Sequence, residues 1–302
     1  MSVFADRKEA RLKIRPEEFR LLRDLVNEHA GLHFDDASSY LFDRRLGERV
    51  AALDLPGFDD YYKFLRFNVR GKSELEEAIE VLTTNETYFL RQEYQLRAFR
   101  DELLPRIASA NAENRRLVVW SAGCSTGEEA YSIAAMVHES RLFVDWDVRI
   151  VGSDISKRSL AAARRGVYRA GAFRSVPDSF RGSYFLERED GSHVVDSLRR
   201  VCYFGHLNLL DGLKASTIGR VDAVFCRNVL IYFDAGSRRR VIDSLYERLV
   251  PGGFLLLGHS ESLLNLSTAF ELVHLSSDLV YRRPAASAPA RDGRHGREWG
   301  AR

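Results

Sequence analysis

Leu117 to Ala135, LVVWSAGCSTGEEAYSIAA, reads as a buried strand that breaks into a small-residue loop and restarts at once as a helix. The run Leu117, Val118, Val119, Trp120 is short, apolar and partly β-branched, which fits a strand covered on both faces. Ser121 to Thr126 then brings small side chains that let backbone N–H groups approach a ligand, and Gly123 and Gly127 permit backbone angles that other residues avoid. Glu128 and Glu129 follow in a first helical turn, where the helix dipole favours acids. Parallel α/β sheets bind their ligands at turns of this kind.

The spacing narrows the ligand. No Gly-Lys-Ser/Thr follows, which excludes a phosphate-cradling P-loop, and the glycines stand as G-x-x-x-G instead of the dinucleotide G-x-G-x-x-G. Two carboxylates directly behind the loop repel a pyrophosphate but suit a cofactor with positive charge, such as S-adenosylmethionine with its sulfonium and amino group. The competing explanation is a strand-turn-helix with a purely structural role.

Upstream of this stretch the pattern is helical. Pro16 with Glu17 and Glu18 makes a first turn, Phe19, Leu22, Leu25, Val26 and His29 recur at helical spacing, and Gly31 ends the helix, with His29 packed at its end. A second helix from Ser39 to Leu53 turns Leu46, Val50 and Leu53 inward and leaves Arg44, Arg45 and Arg49 on other faces, as a solvated surface or a basic patch. Lys63, Arg66, Arg70 and Lys72 follow, so the segment is locally basic and an acidic protein surface is a reasonable partner. Ser73-Glu74-Leu75-Glu76 matches a capping box that opens a helix through Leu82. The polar cluster Thr83 to Thr87 then meets Tyr88, Phe89, Leu90 and Arg91, either as an interdomain linker or as a wall of the ligand site; periodicity fits both.

Downstream, Asp147 to Ser153 reads as a second strand with Asp154 just past its end, where an acid accepts hydrogen bonds from ribose hydroxyls or caps the next helix, a cap for which Ser156 competes. Gly166 to His206, with Ser192 to Asp196 and Arg200 to Gly205 as short strands, reads as an inserted antiparallel element, decoration or a docking subdomain. Val221 to Cys226 is a further buried strand with Arg227 and Asn228 at its end, on the same rim as Gly123 and Asp154. A helix from Gly236 to Leu249, a strand from Phe254 to Gly258 and a closing antiparallel pair, Leu272 to Leu275 and Leu279 to Arg283, complete the pattern. The stretch 284–302, rich in Ala, Pro, Gly and Arg, is expected to be disordered.

With 302 residues, a net charge of +2 and ordinary apolar and charged fractions, the chain has room for two domains and shows no overall signature of a nucleic-acid binder. Cys124, Cys202 and Cys226 are far apart, so neither a metal site nor a disulfide framework is expected. No apolar run approaches the roughly 20 residues of a membrane span and no leader is evident, so the expected location is cytoplasmic.

Four motifs in order, TTNETYFLR (83–91), WSAGCSTGEEAYS (120–132), FCRNVLIYF (225–233) and GHSES (258–262), resemble the CheR family of chemotaxis protein-glutamate O-methyltransferases. The resemblance spans residues 15–283. It implies an α/β, Rossmann-like S-adenosylmethionine-dependent methyltransferase domain with a small N-terminal all-α domain and an inserted β-subdomain. The corresponding divisions are a helical receptor-docking domain at 10–82, a linker and lid helix at 83–111, the methyltransferase domain at 112–283 with its insert at 166–206, and the tail. Cofactor contacts carried over by position fall on Asn85, Thr87, Arg91, Glu129, Asp154, Asn208, Leu209, Cys226, Arg227 and Asn228, which makes the polar linker a lid. Arg91 and Tyr232 are the implied catalytic residues nearest the transferred methyl, and Arg44, Arg45 and Arg49 the implied substrate-docking set for acidic receptor helices.

The implied reaction needs little acid or base help, because a glutamate with a pKa of about 4.3 is already an anion at neutral pH. Alignment and exclusion of water then dominate. The expected partners are the cytoplasmic domains of methyl-accepting chemoreceptors, with the enzyme a monomer and neither nucleic acid nor membrane insertion involved. Two other functions compete, a non-catalytic scaffold that senses S-adenosylmethionine or its product and a nucleic-acid methyltransferase. Leu90 departs from the family pattern of two aromatics directly before the arginine, a change expected to alter packing more than chemistry, and no helical repeat pattern follows Arg283.

Overall fold

The computed structural model describes residues 12–285. Pro16 opens helix α1 (Pro16–Ala30), where its missing N–H has no partner to lose, and Glu17 and Glu18 meet the positive end of the helix dipole. Gly31 ends the helix at φ 70° and donates its N–H to the Asn27 carbonyl. A Cβ at Gly31 would stand 2.8 Å from both Leu210 Cδ1 and Phe233 Cδ1, so the end of α1 is pressed onto the rest of the protein. Helices α2 (Ser39–Ala52), α3 (Phe58–Phe67) and α4 (Gly71–Leu82) complete a bundle around Leu22, Val26, Phe42, Leu46, Tyr61 and Ile79.

Helix α4 corrects one expectation. It begins at Gly71, before the Ser73 expected to cap it, and Glu76 pairs with Lys157 at 2.6 Å instead of closing a capping box. The cause is a tight approach, since a Cβ at Gly71 would stand 2.4 Å from the Leu65 carbonyl oxygen and only glycine can start the helix there.

Residues 83–92 pass from the bundle to the sheet without helix or strand. Helix α5 (Glu93–Ala98), a π-helical stretch Phe99–Leu103 and helix α6 (Leu104–Ala110) then follow without a break. Pro105 accounts for the irregular turn, because it has no N–H to return to the Asp101 carbonyl.

The α/β part continues with β1 (Arg116–Ala122), α7 (Glu128–Ser140), β2 (Asp147–Asp154), α8 (Lys157–Arg165), β3 (Val167–Tyr168), α9 (Asp178–Tyr184), β4 (Phe185–Arg188), β5 (Gly191–Val194) and α10 (Asp196–Arg199). It closes with β6 (Cys202–His206), α11 (Gly212–Ala215), β7 (Val221–Cys226), α12 (Ala235–Arg248), β8 (Leu249–Leu257), β9 (Glu271–His274) and β10 (Leu279–Arg282). The seven-stranded sheet has the order β6-β2-β1-β7-β8-β10-β9, parallel from β6 to β8, with β10 antiparallel to both neighbours. Strand β1 is central, and its alternate residues enter two cores: Leu117 and Val119 one, Val118, Trp120 and Ala122 the other. That is the both-faces burial read from its apolar run. Because the chain winds one way to β2 and β6 and the other way to β7 and β8, the C-terminal ends of β1 and β7 flank the switch point where such sheets bind ligands.

Between α8 and β6 a three-stranded antiparallel sheet, β3-β5-β4, forms the insert. Phe89 ties it down, stacked on Phe173 and edge-on to Tyr168 and Phe185. The insert is shorter than the sequence suggested: the strand expected at Arg200 to Gly205 is β6, which pairs parallel with β2 in the main sheet from Cys202↔Ile150 onward. Strand pattern alone does not say which sheet a strand joins, and the free edge of β2 decides it. Cys124, Cys202 and Cys226 are buried free thiols. Among the described residues no helix is long and apolar enough to cross a membrane. The expected disorder of the tail concerns residues that, from 286 on, lie outside those described.

Candidate active site

A cleft of about 300 Å³ opens over the C-terminal ends of β1, β2 and β7, with residues 83–88 and Arg91 on one side and Leu32, His33 and Phe34 from the bundle on another. Its floor is the loop between β1 and α7. Gly123 (φ 80°) and Gly127 (φ 97°) take the backbone angles anticipated for them, and a Cβ at Gly123 would stand 2.5 Å from Val229 Cγ2.

The two acids behind the loop divide as their environments dictate. Glu128 is buried and accepts a hydrogen bond from Thr126 Oγ1 at 2.7 Å, which closes the start of α7. Glu129 reaches the cleft: Oε1 accepts from Ser121 Oγ at 2.7 Å and Oε2 pairs with Arg227 Nη1 at 3.2 Å. Burial pushes the Glu129 carboxyl above its ordinary value, against the opposing pull of Arg227 and Ser121.

Asp154 lines the cleft at the end of β2 and holds the loop as well, accepting the N–H of Ser125 on Oδ2 and of Ser156 on Oδ1, both at 2.8 Å. Burial raises its carboxyl, with those two hydrogen bonds opposing. Ser156 caps α8 through Ser159 N at 2.9 Å, so the competition for the cap falls to the serine and leaves the aspartate at the rim.

Arg227 lines the cleft with a side chain only 2% exposed. Its Nη1 pairs with Glu129, and its Nη2 donates to the Arg91 carbonyl and, at 2.9 Å, to Gln92 Oε1. The guanidinium thus bolts the floor of the cleft to Arg91 and Gln92, and burial lowers its pKa. Gln92 and Ser121, which complete this link, carried no sequence signal beyond their neighbourhood.

Asn228 follows at φ 58°, with its N–H held at 2.7 Å by Glu261. Glu261, within the GHSES motif but given no role from sequence, also accepts the N–H groups of Val229 (2.9 Å), Gly258 (2.8 Å) and Ile231 (3.3 Å). Its spacing from a strand end was a visible signal; its partners thirty residues away were not.

Asn85, Thr87 and Arg91 all line the cleft, and Tyr232 faces it from the short helical turn after Asn228. Arg91 donates Nη1 to the Glu86 carbonyl at 2.9 Å and lies 5.7 Å from the Tyr88 ring centre. Burial pushes the Tyr232 hydroxyl up. Asn208 and Leu209 both line the cleft, and the Asn208 amide donates to the His29 carbonyl at 2.6 Å, which joins the end of α1 to the sheet.

Two expectations need correction. Cys226 is fully buried in the core between sheet and α12 and does not line the cleft, because the last residue of β7 still follows the strand's alternation. Of the docking set only Arg44 is plainly exposed. Arg45 donates Nη1 to the carbonyls of Val81 (3.2 Å), Leu82 (2.9 Å) and Thr83 (3.2 Å), where a cation satisfies the C-terminal end of α4. Arg49 forms a two-pronged pair with Glu74 at 2.6 and 2.9 Å. Both are drawn inward by groups more than twenty residues away.

The residues present fit S-adenosylmethionine. Ser125 Oγ and Asn228 Oδ1 border the cleft as buried polar atoms without a hydrogen-bond partner, so the site is built to receive a polar ligand. Glu129 lines the cleft with a carboxylate 15% exposed, the group that would meet an ammonium, and the loop glycines admit a close approach.

Two family models match the chain, one described as CheR methyltransferase, all-alpha domain, over residues 17–83 and one as CheR methyltransferase, SAM binding domain, over residues 85–279. Chemotaxis protein methyltransferase 2 of Vibrio cholerae is 36% identical over 269 residues, covering 88% of this chain and 93% of the relative. Chemotaxis protein methyltransferase 2 of Pseudomonas aeruginosa is 34% identical, covering 88% of this chain and 92% of its own. A chemotaxis protein methyltransferase of Borreliella burgdorferi is 32% identical, covering 83% and 90%.

Proposed function

This chain belongs to the CheR methyltransferase family, and from that premise we propose that it transfers a methyl group from S-adenosylmethionine to glutamate side chains of chemoreceptors, forming glutamyl methyl esters. The observation that carries the reading is the cleft itself, where Glu129 on the floor faces a lid bearing Asn85, Thr87 and Arg91, with Tyr232 at the same opening.

S-adenosylmethionine, when bound, supplies an electrophilic methyl group on a sulfonium and leaves as neutral S-adenosylhomocysteine. Glu129 would hold the cofactor's ammonium, sharing its charge between that group and Arg227. Asp154 would meet the ribose hydroxyls while keeping its two backbone hydrogen bonds to the loop. Asn228 and Ser125, with their unpartnered oxygens, offer the remaining polar contacts. Arg91 has its guanidinium at the cleft with one hydrogen bond to a backbone carbonyl, which leaves donors for a substrate carboxylate. Full neutralisation by a two-pronged pair would hold back the nucleophile's charge, so its role is orientation. Tyr232 lines the path beside it. No general base is required, since the substrate is anionic above about pH 5. What the protein contributes is alignment and a lid that excludes water.

The proposal places the enzyme in the cytoplasm as a monomer, with Arg44 on α2 facing acidic receptor helices. The test is transfer from radiolabelled methyl donor to receptor cytoplasmic fragments, followed by alkaline release of volatile methanol. Base-labile label on the receptor is the expected outcome; cofactor binding without transfer, or label on nucleic acid, would overturn it. Arg91→Ala should lower kcat on the order of a hundredfold while S-adenosylhomocysteine still binds, and near-normal turnover would remove Arg91 from the mechanism.

A further inference from the structure

Glu261 does not line the cleft, yet its two carboxylate oxygens accept four backbone N–H groups: Asn228 and Gly258 on Oε2, Val229 and Ile231 on Oε1. Those amides belong to Gly258, just after β8, and to the loop that carries Asn228 and Tyr232. We propose that Glu261 is a positioning residue for methyl transfer, which sets the Asn228–Tyr232 loop against both the glycine loop and the substrate opening. The inference rests on the methyltransferase reading of the cleft.

Three features point the same way. Asn228 is held at φ 58°, a conformation that a non-glycine residue keeps only when its surroundings impose it, and Glu261 grips the N–H of that residue. Val229, gripped next, presses its side chain against Gly123, where a Cβ would stand 2.5 Å from Val229 Cγ2, so the loop's position fixes the floor beneath the ligand. Gly258 lets the carboxylate come close, since a Cβ there would stand 2.8 Å from Glu261 Oε2 and 2.9 Å from Asn228 N. An ionised carboxylate is the acceptor this cluster needs, because it offers about four lone-pair sites and no donor that would face the amides. Asn228 and Tyr232 thereby line the cleft, while Glu261 does not.

The test compares the wild-type protein with Glu261→Gln, Glu261→Asp and Gly258→Ala. Glu261→Gln turns an NH₂ group toward amide donors and should raise both the Kd for S-adenosylhomocysteine and the KM for S-adenosylmethionine about tenfold, with kcat reduced about as much. The KM for the receptor fragment should stay within about twofold, because the bundle's docking face is untouched. Glu261→Asp keeps the charge and should recover part of the loss; Gly258→Ala should reproduce the split from the opposite side of the same contact. A Glu261→Gln variant with unchanged cofactor affinity and kcat overturns the proposal. So does a fall in Tm that shifts the KM of cofactor and receptor together, which is the mark of general loosening. Should Glu261→Gln fail to fold, the Asp and Gly258 variants decide by the same readouts. Wild-type protein that did not bind S-adenosylhomocysteine would instead sink the methyltransferase reading beneath it.

Discussion

Two arginine–glutamate pairs in this molecule have the same chemistry and opposite characters. In the helical bundle, Arg49 meets Glu74 through two parallel hydrogen bonds, at 2.6 and 2.9 Å, and Tyr61 adds a third to the same carboxylate at 2.8 Å. In the cleft, Arg227 meets Glu129 through one 3.2 Å contact, its Nε has no partner, and its other nitrogen holds the Arg91 carbonyl and Gln92. A closed, fully satisfied pair is a structural fastener. An open pair at a cleft leaves part of its charge available, which is how a binding site differs from a brace.

The difference can be broken most directly at the fastener. Glu74→Ala removes one partner of a pair whose carboxylate is only 7% exposed and should destabilise folding by about 3 kcal/mol while S-adenosylhomocysteine affinity, measured by calorimetry, stays unchanged. Glu129→Gln should do the converse, weakening S-adenosylhomocysteine by roughly thirtyfold, about 2 kcal/mol, with the smaller effect on Tm. If the two variants behaved alike, the two pairs would not differ as brace and binding site.

A seam between the two regions gives the next effect. Asp234 caps α12 through Ser237 and accepts a hydrogen bond from Asn27 of α1 at 2.8 Å. Burial alone would raise its pKa, but these hydrogen bonds outweigh it and set it near about 2. Because the folded value lies below the unfolded one, the stabilisation is complete above about pH 4 and is lost as pH falls toward 2. Solvent screening limits it to about 1 kcal/mol. Urea titrations from pH 5 to pH 2 should show this loss in wild type and its absence in Asp234→Asn.

The smallest effect concerns docking. With Arg45 and Arg49 half-buried and engaged within the bundle, Arg44→Glu should lower kcat/KM for receptor fragments severalfold at low salt, with the difference shrinking as salt is added and cofactor binding unaffected. An equal loss at all ionic strengths would move docking elsewhere.

Much of this was legible because it is local. The strand-loop-helix at Leu117 to Ala135 follows from apolar run, glycine spacing and dipole-favoured acids, and the ends of α1 follow from Pro16 and Gly31. The rim residues Asp154 and Asn228 could be placed because strand ends in a parallel sheet share one edge, whereas Asn208 was implied by the family resemblance. The strand at 202–206 went to the wrong sheet since alternation does not name a strand's neighbour, and the start of α4 was misplaced because a capping pattern competes with a glycine forced against a neighbouring carbonyl.

The sequence by itself determined the family, the parallel sheet with its ligand turn, and the types of residue around that turn. Only the tertiary structure decided which charges are free. Arg49 and Glu74 are 25 residues apart, Arg227 and Glu129 are 98, and Glu261 reaches back 33 to Asn228. A side chain's charge is written in the sequence, but its availability depends on which distant groups the folded chain brings within hydrogen-bond reach.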